Sequence, residues 1–147
     1  PRKIERDVEL VTSRGPLRAT LVDMGNPHCV LFVDDERATA VGELGRELEL
    51  HPRFPQRTNV EFAAQRNERL FLRVWERGVG ETAACGTGAC ATAVAAALAR
   101  KVSLPVDIEL PGGRLGVDWD GRGEVVLSGS CDDLWRGEVG AETAVPR

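Results

Sequence analysis

The sequence predicts an α+β fold in which an antiparallel or mixed β-sheet wraps around one central apolar helix. Short segments with strand character, separated by turns rich in Gly, Pro and Asn, run along most of the chain. The stretch ACATAVAAALA, residues 89–99, contains one polar side chain, Thr92, so no face of this helix suits water. A helix that is apolar on every face must be covered on every face, and the strands are the available cover.

The strands are predicted from alternating or continuous apolar residues bounded by turn residues. In chain order they are residues 4–11, 17–24, 29–33, 59–64, 70–75, 106–110, 115–119, 124–127 and 134–139. Residues 65–68 are the predicted turn of one strand pair, and Pro111-Gly112-Gly113 is a strong hairpin signal. The tight hairpins favour antiparallel pairing.

One further helix is predicted between the third and fourth strands. Val41, Leu44 and Leu48 lie at helical spacing, which indicates a short amphipathic helix. Glycines are expected to break it, and it should end before Pro52. We find no internal repeat and no linker, so residues 1–147 are interpreted as one domain.

Composition and charge limit the classes of function. The chain has 147 residues, of which 42% are hydrophobic and 29% charged, as in ordinary soluble domains. No apolar run reaches the roughly 18 residues that span a bilayer, and no signal peptide pattern is present, so a cytoplasmic protein is expected. The net charge of −4 has interspersed signs, which argues against nucleic acid and membranes as partners. A small-molecule partner remains.

The four cysteines, Cys29, Cys85, Cys90 and Cys131, form no C-x-x-C pair, so no zinc site is predicted. Reduced thiols are favoured over disulfides because nothing indicates export. Cys29 is interpreted as a core residue of its strand, Cys90 as a helix-packing residue and Cys131 as a loop thiol.

Cys85 differs because Cys85-Gly86-Thr87-Gly88 lies where the central helix should begin. Free backbone N–H groups and the positive end of the helix dipole would stabilise a thiolate there, or hold a carboxylate. We therefore expect Cys85, in a glycine-flanked open loop, to be the most readily alkylated thiol near neutral pH.

Other polar residues have both a structural and a functional interpretation. Gly25-Asn26-Pro27-His28 is either a connector or a strand break that presents an amide and an imidazole to a substrate. Asn59 at the head of a strand usually serves the turn. Glu76-Arg77 is either a solvated pair or, one loop before the helix, part of a site. His51 has no predicted role.

A nucleotide-binding motif is a weaker alternative. Residues 78–83, GVGETA, match the G-x-G-x-x-A form of the dinucleotide fingerprint. In that fingerprint the glycines open the helix themselves, whereas here a second turn at residues 85–88 does so. The strand after the helix also enters a tight hairpin, which a doubly wound sheet does not predict.

Taken together, the segments GNPHCVLFV, RTNVEF and RVWERGVGETAACGTGACA closely resemble the C-terminal half of diaminopimelate epimerase. Three segments in the last part of the sequence, PGGRLGVDWDG, VVLSGS and WRGEV, are also similar to the C-terminal segments of that family. The resemblance covers nearly the whole chain and implies an isomerase of lysine and peptidoglycan precursor biosynthesis. Such enzymes convert LL-diaminopimelate to the meso form without pyridoxal phosphate or metal, and each of their two halves wraps strands around a helix.

The resemblance also implies roles for individual residues. Cys85 matches the second of two catalytic cysteines, Glu76 its acid/base partner, and His28 the imidazole paired with the other cysteine. The substrate's distal end would be bound by Asn26, Asn59 and Arg77, and the carboxylate at the reacting centre by Gly86 and Thr87.

The family's N-terminal half, which carries the first catalytic cysteine in a Cys-Gly-Asn-Gly motif, is absent from this sequence. Inversion needs an acid and a base on opposite faces of the α-carbon. The chain alone is therefore expected to be inactive and to need the N-terminal half as its partner. A non-catalytic amino acid binding module is the alternative, and the oligomeric state, including a homodimer, is left open.

Overall fold

A computed structural model describes residues 1–132 and 136–137. Within those residues it contains nine strands and two helices. In chain order they are β1 Lys3–Thr12, β2 Gly15–Asp23, β3 Pro27–Phe32, α1 Val41–Glu49, β4 Asn59–Arg66, β5 Arg69–Glu76, β6 Gly80–Thr82, α2 Gly86–Leu98, β7 Val106–Leu110, β8 Gly113–Asp118 and β9 Val126–Gly129.

All the strands belong to one mixed sheet. Its order is β1-β2-β3-β4-β5-β7-β8-β9, with β6 paired to β5. The pairs β3–β4 and β5–β7 are parallel, and the others are antiparallel. Parallel neighbours need a crossover connection, and the two helices lie in the two crossovers. The predicted α+β class with a mixed sheet is confirmed.

The helix α2 is enclosed, as its composition predicts. Residues 88–96 are all buried. On one side Ala93 packs in a cluster with Leu72 and Ile108, and on the other Val94 packs in a cluster with Val22. Six of the thirteen α2 residues are Ala, whose small side chain lets the sheet approach the helix closely. We call the sheet face toward α2 the inner face.

The helix α1 covers part of the opposite, outer face. Val41 and Leu48 pack in a cluster with Leu31 and Phe62. The glycines do not break α1, contrary to the sequence prediction. A Cβ atom added at Gly45 would lie 2.6 Å from Trp75 Cβ, so glycine is what allows this close approach of helix and strand.

The loops differ from prediction in three places. The turn of the β4–β5 hairpin is only Asn67 and Glu68, which both have positive φ (48° and 61°), and the strands extend further than predicted. The glycine-rich segment after β5 contains β6, which was not predicted. The strand predicted over 124–127 lies at Val126–Gly129 instead. The strand predicted over 134–139 lies mostly outside the described residues.

Among the described residues, no helix combines the length and apolar character needed to cross a lipid bilayer.

Candidate active site

Polar groups gather on the inner face, where β3, β4 and β5 meet the first turn of α2. His28 begins this group on β3, Glu61 lies on β4, Glu76 ends β5, and Cys85 is the N-cap of α2. The parallel register places Glu61 beside Val30, two residues along β3 from His28 and on the same face. Four chemically active side chains from separate elements therefore converge at one helix terminus.

Cys85 has extended backbone angles, φ −140° and ψ 111°, and its carbonyl accepts the first helical hydrogen bond, from Ala89 N, at 2.9 Å. The N–H groups of Gly86 and Thr87 precede that bond and have no acceptor within the helix. The Cys85 Sγ and Thr87 Oγ1 atoms are 3.7 Å apart. The thiol thus lies directly beside backbone donors that suit an anion.

The Cys85 side chain is less open than the sequence suggested. The residue is 8% exposed, and this burial raises the pKa of its thiol. The Gly88 N–H and the Thr87 hydroxyl lower the pKa, but the negative charge of Glu76 raises it again. The expectation of an open loop was wrong, because the thiol is buried, and its loss of hydration raises the pKa more than the hydrogen bonds from Gly88 and Thr87 lower it.

Glu76 is half-buried at the end of β5. The Thr82 hydroxyl on β6 donates a hydrogen bond of 2.6 Å to Glu76 Oε1. The short strand β6 pairs Gly80 with Glu76 and so folds the loop back against the carboxylate. Positive φ at Gly78 and Gly80 (77° and 110°) permits this tight return. The same residues that resemble a nucleotide fingerprint form a hairpin here, and α2 begins at Gly86, four residues after the end of β6.

His28 is buried and has a polar partner at each ring nitrogen. Nδ1 lies 2.6 Å from Glu61 Oε1, and Nε2 lies 3.0 Å from Asn26 Oδ1. The other end of the Asn26 amide, Nδ2, donates to Thr87 Oγ1 at 3.3 Å. Asn26 therefore connects the imidazole to the first turn of α2.

Glu61 also belongs to this site, although the sequence analysis did not predict it as a site residue. The residue is 0% exposed, and its Oε2 atom has no hydrogen-bond partner among the described residues. The available signal was an acidic residue inside the otherwise buried strand segment NVEFAA. Burial of an acidic side chain in such a strand costs free energy, so the carboxyl needs a hydrogen-bond partner or a function.

Two residues expected to bind the distal end of a substrate are joined in the structure. Asn59 Oδ1 accepts a hydrogen bond from Arg77 N at 3.0 Å, and Asn59 Nδ2 donates to Pro27 O at 2.9 Å. The exposed Arg77 side chain donates one bond, to Gln56 O at 3.2 Å. Within the described part of the chain, one Nδ2 hydrogen of Asn59 and the other guanidinium donors of Arg77 have no hydrogen-bond partner.

The other three cysteines lie in the environments that the sequence predicted. Cys29 and Cys90 are buried and Cys131 is exposed, and all four thiols are free. Burial raises the pKa of Cys29 and of Cys90. His51 is half-buried in a loop, where its Nδ1 accepts a hydrogen bond from Arg53 N at 3.1 Å.

Comparison with known proteins identifies one family. The family model for diaminopimelate epimerase matches residues 20–132. Diaminopimelate epimerase from Pseudomonas entomophila is 54% identical over 120 residues, covering 80% of this chain and 44% of that protein. The Halorhodospira halophila enzyme is 50% identical over 143 residues, covering 94% and 50%. The chain thus spans about half the length of these relatives.

Solved structures share the fold at low identity. A hydroxyproline epimerase from Agrobacterium vitis has a TM-score of 0.56 and 18% identity, covering 84% of this chain and 44% of that one. A phenazine biosynthesis PhzF family protein from Enterococcus faecalis has a TM-score of 0.54 and 18% identity, covering 80% and 38%. These similarities concern the fold alone.

Proposed function

Because this chain belongs to the diaminopimelate epimerase family, we propose that it forms one half of an active site that inverts the α-carbon of diaminopimelate. The observation that carries the proposal is the position of the Cys85 thiol. Cys85 is the N-cap residue of α2, so its thiol lies beside the N–H groups of Gly86 and Thr87 and within electrostatic reach of Glu76. A proton-transfer group and an anion site therefore share one helix terminus.

The N–H groups of Gly86 and Thr87 bind the carboxylate attached to the reacting carbon. As the α-proton leaves, negative charge spreads toward this carboxylate, and the same donors stabilise it. The amide of Asn59 and the guanidinium of Arg77 hold the distal amino acid end of the substrate. Binding at two ends fixes which α-carbon meets the thiol.

Cys85 works as a proton donor in one direction and as a base in the other. Its raised pKa keeps the sulfur protonated near neutral pH, so the S–H can protonate a carbanion on its own face. In the opposite direction Glu76 takes the thiol proton, and the sulfur then removes the α-proton. Thr82 holds the Glu76 carboxylate in place at 2.6 Å.

The second acid/base group must act from the opposite face of the α-carbon. We assign it to the part of the relatives that this chain does not match, which accounts for about half of their length. His28, whose Nε2 contacts Asn26 Oδ1, is the imidazole that we assign to that second group. The reaction uses protons only, so the proposal includes no pyridoxal phosphate and no metal. The chain on its own is expected to be inactive.

The test is solvent exchange at the α-carbon. A hybrid enzyme is made by joining this chain to the half of the Halorhodospira halophila relative that it does not match. In D2O, the hybrid should place deuterium at the α-position of diaminopimelate, while this chain alone should not. Cys85→Ala should abolish most of the exchange, and Cys131→Ala, at an exposed thiol, should leave it unchanged.

Two results would contradict the proposal. Exchange at full rate by the Cys85→Ala hybrid would remove the thiol from the mechanism. Binding of diaminopimelate by a folded hybrid without any exchange would instead favour an amino acid binding module of the same fold.

A further inference from the structure

The buried carboxyl of Glu61 has no assigned role in the reaction described above. Its side chain is 0% exposed, and Oε1 lies 2.6 Å from His28 Nδ1. Its second oxygen is buried and has no hydrogen-bond partner among the described residues. Apolar residues would pack in this position at lower cost than a half-paired acid, so stability does not account for a carboxyl here.

The fold makes room for this carboxyl at the expense of a helix side chain. A Cβ atom added at Gly88 would lie 2.9 Å from Glu61 Oε1 and 3.3 Å from Cys85 Sγ. Any larger residue at position 88 would have to displace one of these two groups. Glycine in the first turn of α2 thus lets Glu61 sit between the imidazole on β3 and the helix that carries the thiol.

The hydrogen bonds around His28 determine which of its ring nitrogens carry hydrogens. Asn26 donates through Nδ2 to Thr87, so its Oδ1 atom faces His28 as an acceptor. His28 Nε2 must therefore carry a hydrogen. The other ring nitrogen and Glu61 Oε1 are 2.6 Å apart, a distance that requires one hydrogen between them.

We propose that Glu61 is a positioning residue that holds His28 Nδ1 through one shared hydrogen and leaves Nε2 as the nitrogen directed toward the substrate side. This inference rests on the proposed function, because it gives His28 a proton-transfer role. The carboxyl fixes the orientation of the ring, and Asn26 fixes the hydrogen at Nε2. When Nε2 gives up the hydrogen that it donates to Asn26 Oδ1, the hydrogen shared with Glu61 stays on Nδ1, and the neutral ring can take a proton back at Nε2 without rotating.

The surroundings of Glu61 favour a shared hydrogen over two separated charges. Burial raises the pKa of the Glu61 carboxyl, and the charge of Glu76 acts in the same direction. The other titratable groups near it are Cys85, at the start of α2, and Cys29, whose side chain lies on the outer face of β3. Neither thiol supplies a positive charge, so the groups that favour the ionised form of Glu61 are His28 and the backbone N–H of Cys29.

The first experiment examines the hydrogen bond directly by NMR of this chain with ¹⁵N-labelled histidine. The chain has only two histidines, so His51 is an internal reference. In the unsubstituted protein, His28 should show a far-downfield, slowly exchanging hydrogen at Nδ1. Glu61→Gln keeps the shape but replaces the shared hydrogen with an amide contact, so this signal should disappear. The control Glu36→Gln removes another buried carboxylate, one bonded to Arg66, and should leave the His28 signals in place.

The second experiment separates positioning from folding stability in the hybrid enzyme. Glu61→Gln should lower kcat roughly 10- to 100-fold with KM changed less than about twofold, since misaligned acid–base groups lose part of their usual 10²- to 10⁴-fold effect. Glu61→Asp, which retains a carboxyl, should recover part of the loss. If Glu61 had only a structural role, its substitution would change the free energy of unfolding but would not lower kcat while leaving KM nearly constant.

The inference fails if the unsubstituted chain shows no hydrogen at His28 Nδ1, or if Glu61→Gln leaves the His28 spectrum unchanged. It also fails if kcat of an active hybrid is unaffected by Glu61→Gln. Absence of exchange in the unsubstituted hybrid would count against the proposed function, while the NMR result would still decide the role of Glu61.

Discussion

Asn26 and Thr87, 61 residues apart in the chain, are joined by a hydrogen bond of 3.3 Å between Nδ2 and Oγ1. The bond ties the loop between β2 and β3 to the first turn of α2. On one side it continues to His28, and on the other the Thr87 hydroxyl approaches the Cys85 sulfur. A continuous polar path therefore connects the imidazole with the thiol.

Removal of the Thr87 hydroxyl should weaken this path. Thr87→Val retains the shape of the side chain and loses its bonds to Asn26 and Cys85. We expect the hybrid enzyme to lose roughly 2- to 10-fold in kcat/KM, as for a hydrogen bond worth about 0.5 to 1.5 kcal/mol. Thr39→Val, which removes a hydroxyl bonded to Asp35 O in a distant loop, is the control for deuterium exchange.

The pH dependence of alkylation should follow the raised pKa of Cys85. Only the thiolate reacts, so a higher pKa means less thiolate at neutral pH and a labelling rate that climbs as the pH rises. Exposed Cys131 should label first and Cys85 later. Peptide mapping after limited iodoacetamide treatment at several pH values measures the order. Labelling of Cys85 ahead of Cys131 at neutral pH would contradict the assignment of burial as the dominant effect.

Glu76→Gln should speed the labelling of Cys85 at a fixed pH. The Glu76 charge raises the pKa of the thiol, so its removal lowers that pKa and increases the thiolate fraction. Glu81→Gln is the matched control, because Glu81 lies on the same hairpin but pairs with Arg73. Equal acceleration by both variants would indicate a general charge effect instead of a specific one.

Two glycines of α1 should respond oppositely to alanine. A Cβ at Gly45 would lie 2.6 Å from Trp75, so Gly45→Ala should lower the free energy of unfolding by about 1 to 3 kcal/mol. Apart from its chain neighbours and its own helix backbone, no atom of the described residues lies within 4 Å of a Cβ added at Gly42, so Gly42→Ala should raise stability by up to about 1 kcal/mol. Urea denaturation measures the free energy of unfolding of both variants. A similar decrease in both would contradict the close contact between Gly45 and Trp75.

Asn59→Asp should disturb the loop that carries Arg77. Its carboxylate would keep an acceptor for Arg77 N, but the donor to Pro27 O would be lost and two oxygens would face each other. Because Asn59 is 5% exposed, we expect a destabilisation of about 1 to 3 kcal/mol and a raised KM in the hybrid. The control Asn67→Asp, in the exposed β4–β5 turn, should change neither the free energy of unfolding nor KM.

The sequence contained enough information for the central helix and for most strands. The run of apolar residues in α2 required burial on every side, and alternation marked the strands that supply it. Gly45 was misinterpreted because helix propensity is a local property, whereas its reason is a tryptophan 30 residues away. The strand β6 was missed because its three residues, Gly80–Thr82, are too few to carry a periodic signal, and their pairing depends on β5.

The candidate site was foreseen in part. His28, Glu76 and Cys85 were singled out from motifs, and the structure brings them to one end of α2. Glu61 was overlooked because its role depends on the parallel register of β3 and β4, which puts Glu61 on the same face as His28, 33 residues earlier in the chain, so that their side chains meet. The raised pKa of Cys85 likewise depends on burial, which no local pattern around the cysteine shows.

The alanines of α2 also limit how this site can adjust. An alanine side chain has no rotamers, so the helix beneath Cys85 offers few alternative side-chain arrangements through which the thiol could shift. Under the proposed function, adaptation to substrates of different length would then come from the loops that carry Asn26 and Arg77. Selection for a new substrate in this scaffold should accumulate changes in those loops, while the helix sequence stays constant.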